Sequence, residues 1–354
     1  MMASLLRLAE TRAGKIILLT LLLTAPLWVG ATLGPYWVRI LDFCLLYAVL
    51  ALGLNIVVGY AGLLDLGYIA FYAVGAYLFA LLASPHFDLH WSPWLILPLG
   101  ALAAGLAGAL LGAPTLRLRG DYLAIVTLGF GEIVRLFMNN LDRPVNITNG
   151  PQGISGIDPV SIGGFSLGGS LQLGGMSLGS AQLYFYLLLA LVFVVVVICR
   201  RLENSRIGRA WVAIREDEIA ASAMGINTRN MKLLAFAMGA SFGGIGGGLF
   251  ASFQGFVSPE SFTLMESVMI LCMVVLGGMG NIAGVILGAV LLTLTPELLR
   301  EVINPLQREL FGRMVVDPEN LRMLLFGLAM ILIMLFRPAG LWPSRRRAQE
   351  LHHD

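Results

Sequence analysis

The chain has 354 residues, of which 58% are hydrophobic and only 12% charged, whereas a soluble domain carries about a quarter charged residues. That balance excludes a water-soluble globule and implies an integral membrane protein. The formal net charge of +2 is accounted for by loop arginines and implies no nucleic-acid partner. Apolar runs of about 20 residues, enough to cross a bilayer, recur from end to end and predict about ten spans. They fall near 16–34, 40–58, 67–83, 94–113, 121–139, 183–199, 232–256, 263–278, 282–297 and 321–336. The fold class is therefore all-α, a single polytopic transmembrane domain over 1–354 with broken helices, and lipid is its first partner.

The first run has a basic front and small residues Val29 and Ala31, as a cleaved signal would. Its length and the charge balance of the loops favour an uncleaved anchor. Gly59–Tyr60–Ala61–Gly62–Leu63–Leu64–Asp65–Leu66–Gly67 then separates two apolar runs with almost no polar spacer. It reads either as a tight turn or as a helix break beside a central pathway, which at membrane depth is tolerated only inside protein or next to water. Asn55 and Asp65 offer polar groups there. In the fourth span Gly100, Ala104, Gly108 and Gly112 recur every four residues, the stripe that lets helices approach closely. Glu132 and Arg135 share one face of the fifth span, as a functional intramembrane charge or as an internal pair.

Residues 140–182 form a loop rich in Gly and Ser, in which SLQLGG and GGMSLGS predict a small hairpin. It contains two G-x-S-x-G matches, around Ser166 and Ser177. A nucleophile at that motif needs a strand-to-helix turn and a base. Two copies so close together in a glycine-rich loop point to composition, which leaves a membrane-embedded hydrolase as the weakest reading. The loop 200–231 leads into a charged island, Gly208–Lys232, GRAWVAIREDEIAASAMGINTRNMK, with Trp211, Ile214, Ile219, Ala223 and Ile226 at roughly helical spacing. Arg209, Arg215, Glu216, Asp217 and Glu218 make its polar patch. The island is either a docking knob for a soluble partner or an ordinary solvated helix.

Further glycine stripes follow at Gly239, Gly243 and Gly247 and at Gly280, Gly284 and Gly288. Between them Gly277–Gly278–Met279–Gly280–Asn281 repeats the break pattern, with Gly278 and Asn281 as pathway candidates. Lys and Arg cluster in alternate loops: Arg7, Arg12 and Lys15, then Arg117 and Arg119, then seven between Arg200 and Lys232, then Arg337 and Arg345 to Arg347. By the positive-inside rule these face the cytoplasm, as do both termini and the 337–354 tail, while 140–182 lies outside. Cys44, Cys199 and Cys272 sit within spans at no metal-ligating or disulfide spacing. The only lysines are Lys15 and Lys232, and neither sits in a phosphate-binding loop, so the chain has no ATP site of that kind and is not an enzyme.

Several long motifs appear in order: LNIVVGYAGLLDLGYIAFYAVGAY, LRLRGDYLAIVTLGFGEIVR, GRAWVAIREDEIAASAMGI, QGFVSPESF, VVLGGMGN and FRPAGLWP. Together they resemble the LivM-type permease of bacterial ABC importers for branched-chain amino acids, from about residue 40 to 343. The resemblance implies an inner-membrane permease forming half of a translocation pathway with a LivH-type partner. It also implies two cytoplasmic ATP-binding subunits, which use the ATP and Mg, and a periplasmic substrate-binding protein. Glu218, Ala220, Ala221 and Gly225 look like the coupling loop of ABC importers, one residue looser than E-A-A-x-x-x-G. Related permeases serve amides and urea as well as leucine, isoleucine and valine. An ion-coupled secondary transporter with Glu132 as proton carrier is the rival from the residues alone.

Overall fold

With no water in the bilayer core, backbone polar groups must be satisfied within each segment, so the apolar runs fold as helices. The computed structural model describes residues 12–311, save 116, 117, 119, 174 and 175, together with 324, 327, 328, 331, 332, 335–337 and 340–342. Its long helices are α1 (Arg12–Thr32), α2 (Pro35–Asn55), α3 (Ile69–Leu82), α4 (Pro93–Thr115), α5 (Asp121–Asn140), α6 (Ser180–Glu203), α9 (Thr228–Gln254), α10 (Leu264–Gly277) and α11 (Ile282–Phe311). Two short helices, α7 (Arg206–Glu216) and α8 (Glu218–Ala223), lie between α6 and α9. Nine of the expected spans thus coincide with helices, and the tenth, 321–336, falls largely outside the described residues, as do Arg117, Arg119 and most of the 337–354 tail. Among the described residues six helices are long and apolar enough to cross a membrane unaided: Pro35–Tyr60, Pro93–Thr115, Ser180–Glu203, Thr228–Gln254, Pro259–Gly277 and Ile282–Glu301. The chain is a multi-pass membrane protein.

The bundle centres on α2, α3 and α9, and glycine sets their spacing. Gly75 on α3 lies against Gly244 on α9, whose own Cα faces Gly100 and Ala104 on α4. A Cβ on Gly75 would stand 2.5 Å from Gly244 Cα, and one on Gly247 2.7 Å from Ala76 N. Gly239 meets Gly53 of α2, and Gly108 meets Ala240 and Phe236. The stripes are thus packing surfaces, where close van der Waals contact replaces the hydrophobic drive that lipid cannot supply. Gly284 and Gly288 do the same between α11 and α10, against Gly277, whereas Gly280, expected in that stripe, lies in the turn before α11 and faces Gly59 O and Arg215 Nη1.

The loop 140–182 closes one end of the bundle. Leu171–Leu173 pairs with Met176–Leu178 as the expected hairpin, while Ser161–Ile162 pairs with Phe165–Ser166. Ile154–Ser155 pairs with Phe256–Val257 just after α9. Asp158 N–H donates to Ala83 O at 2.7 Å and its backbone O accepts from Ser252 Oγ at 3.1 Å, stitching the loop onto the ends of α3 and α9. His90 from the 84–92 loop meets Asp158 Oδ2 at 2.5 Å, and this carboxylate raises the imidazole pKa above its ordinary 6.5. Ser166 Oγ accepts from Gly168 N–H at 3.3 Å in a tight turn, and Ser177 sits mid-strand. Among the described residues no histidine is bonded to either serine; His86 is bonded to Asn146 O.

Candidate functional site

At the opposite end, carrying α7 and α8, the two chain breaks meet. The α-helical ladder of α2 gives way at Ile56–Tyr60 to a π-turn, a form that often marks functional sites. Leu63 N–H donates to Val57 O, two residues beyond the usual α-helical acceptor, so Gly59 O loses its helical donor. Gly62 then takes φ +69°, a left-handed value that glycine adopts without penalty, and the chain reaches α3. The second break turns through Gly278 (φ +117°) and Gly280 (φ +82°). Asn55 Oδ1 accepts from Gly280 N–H at 2.8 Å and so joins the breaks directly. A Cβ at Gly59 would stand 2.6 Å from Gly280 N, which leaves room only for glycine.

Asp65 is fully buried, with Oδ1 accepting from Gly67 N–H at 2.8 Å and Oδ2 unpartnered. Around it, Leu66 N–H donates to Thr127 Oγ1 at 3.0 Å and Ser267 Oγ donates to Leu66 O at 2.7 Å. The first break is thus sewn to α5 and α10. Asn281 Oδ1 caps α11 by accepting from Ala283 N–H at 3.0 Å, and its Nδ2 donates to Trp342 O at 2.9 Å. The closing segment therefore lies along the second break, where Leu341 N–H and Trp342 N–H donate to Leu276 O and Gly277 O.

The charged island folds as two helices, not one. Ser205 caps α7 by accepting from Gly208 N–H at 3.1 Å, and Trp211, fully buried, donates through Nε1 to Met231 O at 2.7 Å. Asp217, at φ −152° and ψ 110°, ends α7 and caps α8, accepting from Ile219 and Ala220 N–H at 2.8 and 3.0 Å. Such caps satisfy backbone donors that a helix start leaves open. Gly225, φ +84°, closes α8 with bonds from Ile226 N–H to Ala221 O and from Gly225 N–H to Ser222 O, a Schellman ending. The change of direction at Asp217 alters the expected apolar face. Trp211 and Ile214 are buried, whereas Ile219 is 71% exposed, and Ala223 is exposed too. With Met224, 84% exposed, they make an apolar tip.

Nor do the charges form one outward patch. Glu216 and Arg209 are exposed, and Arg209 Nη1 donates to Asn204 O at 3.0 Å. Glu218 turns back to Lys232, Oε1 to Nζ 2.6 Å, neutralising a lysine whose side chain is 6% exposed. Arg215 turns inward and donates to Gly59 O at 2.7 Å. Sequence reasoning missed Lys232, although a lysine in an apolar helix 14 residues after Glu218 was a legible signal. Thr127 and Ser267 carried no local signal.

Glu132 and Arg135 stand away from this cluster, on α5. They pair with each other at 2.5 Å, and Arg135 also reaches Glu260 at 3.4 Å. Nearer the hairpin end, a cavity of about 170 Å³ opens between α2, α10 and α11. Its polar lining includes Tyr47, Glu266, Thr293 and Glu297, with Tyr47 Oη donating to Glu266 Oε2 at 2.8 Å.

The high-affinity branched-chain amino acid transport system permease protein LivM of Escherichia coli (strain K12) is 45% identical over 345 residues, 94% of this chain and 76% of that protein. A probable branched-chain amino acid transport permease protein LivM of Methanocaldococcus jannaschii is 29% identical, over 71% of this chain and 69% of its own length. The LivH permease of the same Escherichia coli strain is 26% identical, over 71% of this chain and 81% of that protein. No solved structure matches. Residues 36–334, which contain both chain breaks and the α7–α8 knob, match the family described as branched-chain amino acid transport system / permease component. The chain belongs to that family of membrane transport permeases.

Proposed function

We propose that the chain forms half of the translocation pathway of an ATP-driven importer for leucine, isoleucine and valine. The observation that carries this reading is the 45% identity to LivM across 94% of the chain. A LivH-type permease supplies the other half, two ATP-binding subunits dock from the cytoplasm, one of them on the α7–α8 knob, and a substrate-binding protein delivers cargo at the hairpin end. The knob end then faces the cytoplasm of a bacterial inner membrane, and the 140–182 loop faces the periplasm. ATP and Mg belong to the partner subunits.

The exposed tip of α8, with Ile219, Ala220, Ala223, Met224 and Gly225, suits insertion into an apolar cleft of a soluble partner. Glu216 and Arg209 flank it for ion pairing, while Ala221, Asp217 and Glu218 hold its shape. Asn55, Gly59, Gly62, Asp65, Gly278 and Asn281 frame the inner end of the pathway. Glu132 and Arg135 serve as a structural pair on α5, not as a proton carrier. ATPase closure moves the pathway between two packings only if the knob contacts the ATPases differently in each.

The test is leucine uptake into proteoliposomes holding this chain, the partner permease and both ATPases, with binding protein outside and ATP inside. Uptake lost on omission of any component supports the reading. Uptake that survives without ATPases or ATP makes the chain a secondary transporter. ATP hydrolysis that ignores leucine removes the substrate and keeps the architecture. In the active complex, Met224→Asp should weaken ATPase capture while leaving the chain inserted; undiminished capture would move the docking site elsewhere.

A further inference from the structure

The inward turn of Arg215 is the observation least expected of a docking helix. Its side chain leaves α7, lies along Gly62 and ends on Gly59 O at 2.7 Å, the carbonyl that the π-turn deprives of a helical donor. A Cβ at Gly62 would stand 3.1 Å from Arg215 Cβ and closer still to Cγ, so glycine is what admits the stem. A Cβ at Gly280 would come within 3.8 Å of Arg215 Nη1 and 3.5 Å of Gly59 O. The guanidinium therefore sits where both breaks and α7 converge. Asn55 completes the cluster through its bond to Gly280, while its own Nδ2, buried, has no partner.

The rest of α7 is fixed at its other end. Ser205 caps its start and Trp211 anchors it to the first turn of α9. A short helix held at one end and bonded at the other to a freed carbonyl transmits displacement. A side chain lying loosely on the surface would not.

We infer that Arg215 is a positioning residue that ties the α7–α8 knob to the paired chain breaks, so that movement of the knob opens or closes the inner end of the pathway through the Gly59 carbonyl. This rests on the importer reading above. Arginine suits the task because it stays charged and offers several donors in a rigid fork, so one group can hold a carbonyl as the surroundings shift. Its sequence neighbours are placed differently: Glu216 is exposed, Asp217 caps α8 and Glu218 pairs with Lys232.

The experiment compares unmodified, Arg215→Gln and Arg215→Lys permeases in the complete proteoliposome system, reading leucine taken up per ATP hydrolysed. Arg215→Gln should leave the ATPases bound and hydrolysing while that ratio falls roughly tenfold or more, the effect expected when a charged donor is lost. Arg215→Lys, which keeps charge and a donor, should recover part of it. An unchanged ratio in Arg215→Gln overturns the inference. If the unmodified complex itself shows no ATP-driven uptake, it is the importer reading that fails.

Should Arg215→Gln fail to assemble, amide exchange on the unmodified complex decides the matter. Trapping the ATPases with ATP and vanadate should change protection over 57–63 and 206–216 together. A response in α7 without one in 57–63 overturns the inference.

Discussion

Gly75 offers a direct test of glycine as the spacer of the bundle. In Gly75→Ala the new methyl would sit 2.5 Å from Gly244 Cα and nearer still to Gly244 O, against a normal carbon contact of about 3.5–4.0 Å. Both neighbours are backbone, and Gly244 is itself clasped by Gly100 and Ala104, so α3 and α9 must separate by roughly 1 Å. Overpacking of this kind costs about 1–3 kcal/mol, partly offset by the roughly 1 kcal/mol that alanine gains over glycine in a helix. The net loss is then up to about 2 kcal/mol, at most roughly a 30-fold larger unfolding constant. Among the described residues, nothing outside its own helical backbone and chain neighbours comes within 4 Å of a notional Cβ on Gly129 of α5, so Gly129→Ala should be neutral or slightly stabilising. Unfolding equilibria measured in detergent micelles or bicelles on both variants give the comparison. Equal effects, or a stable Gly75→Ala protein, would refute the claim that helix spacing is set at these glycines.

Glu218→Gln should cost about 1–3 kcal/mol, because Lys232 then stays buried without its counter-charge. The figure is below that for a fully buried pair because Glu218 is 27% exposed. In a double-mutant cycle Lys232→Met should remove most of the penalty, and a strictly additive result would dissociate the two residues. At the hairpin end, the bond between His90 and Asp158 raises the imidazole pKa, so its stabilisation is complete below about 6.5 and is lost as pH rises through the folded-state value. Amide exchange over 84–92 should therefore quicken as pH rises, after correction for intrinsic rates, and His90→Gln should abolish the change. A His90 titration midpoint at or below 6.5 would sink the argument. Asn281→Ala removes the cap on α11 at about 1 kcal/mol and frees Trp342 O. Faster exchange at the Leu341 and Trp342 amides is the expected sign, and unchanged protection there would count against the link.

The positions of the spans, the glycine stripes, the 171–178 hairpin and both breaks are all legible locally. Each is a short-range pattern, set by the length of an apolar run against bilayer thickness, a four-residue recurrence of small side chains, or a cluster of turn formers. The knob was half legible. Its charges and Trp211 marked a helix off the bundle, but continuing one period through Asp217 put Ile219 and Ala223 on the wrong face. An aspartate that caps a new helix resembles a helical acidic residue until its backbone angles are known.

Composition and periodicity by themselves determined that this chain crosses the membrane many times, where it breaks, and which segment stands apart. Only the tertiary structure decided that Asn55 and Gly280, 225 positions apart, share a hydrogen bond, that Glu218 neutralises Lys232, and that Arg215 reaches the Gly59 carbonyl at the first break. Periodicity reports which face of a helix avoids water or lipid. It does not report which distant backbone group will stand opposite that face, because that follows from how closely the glycine stripes let the helices pack.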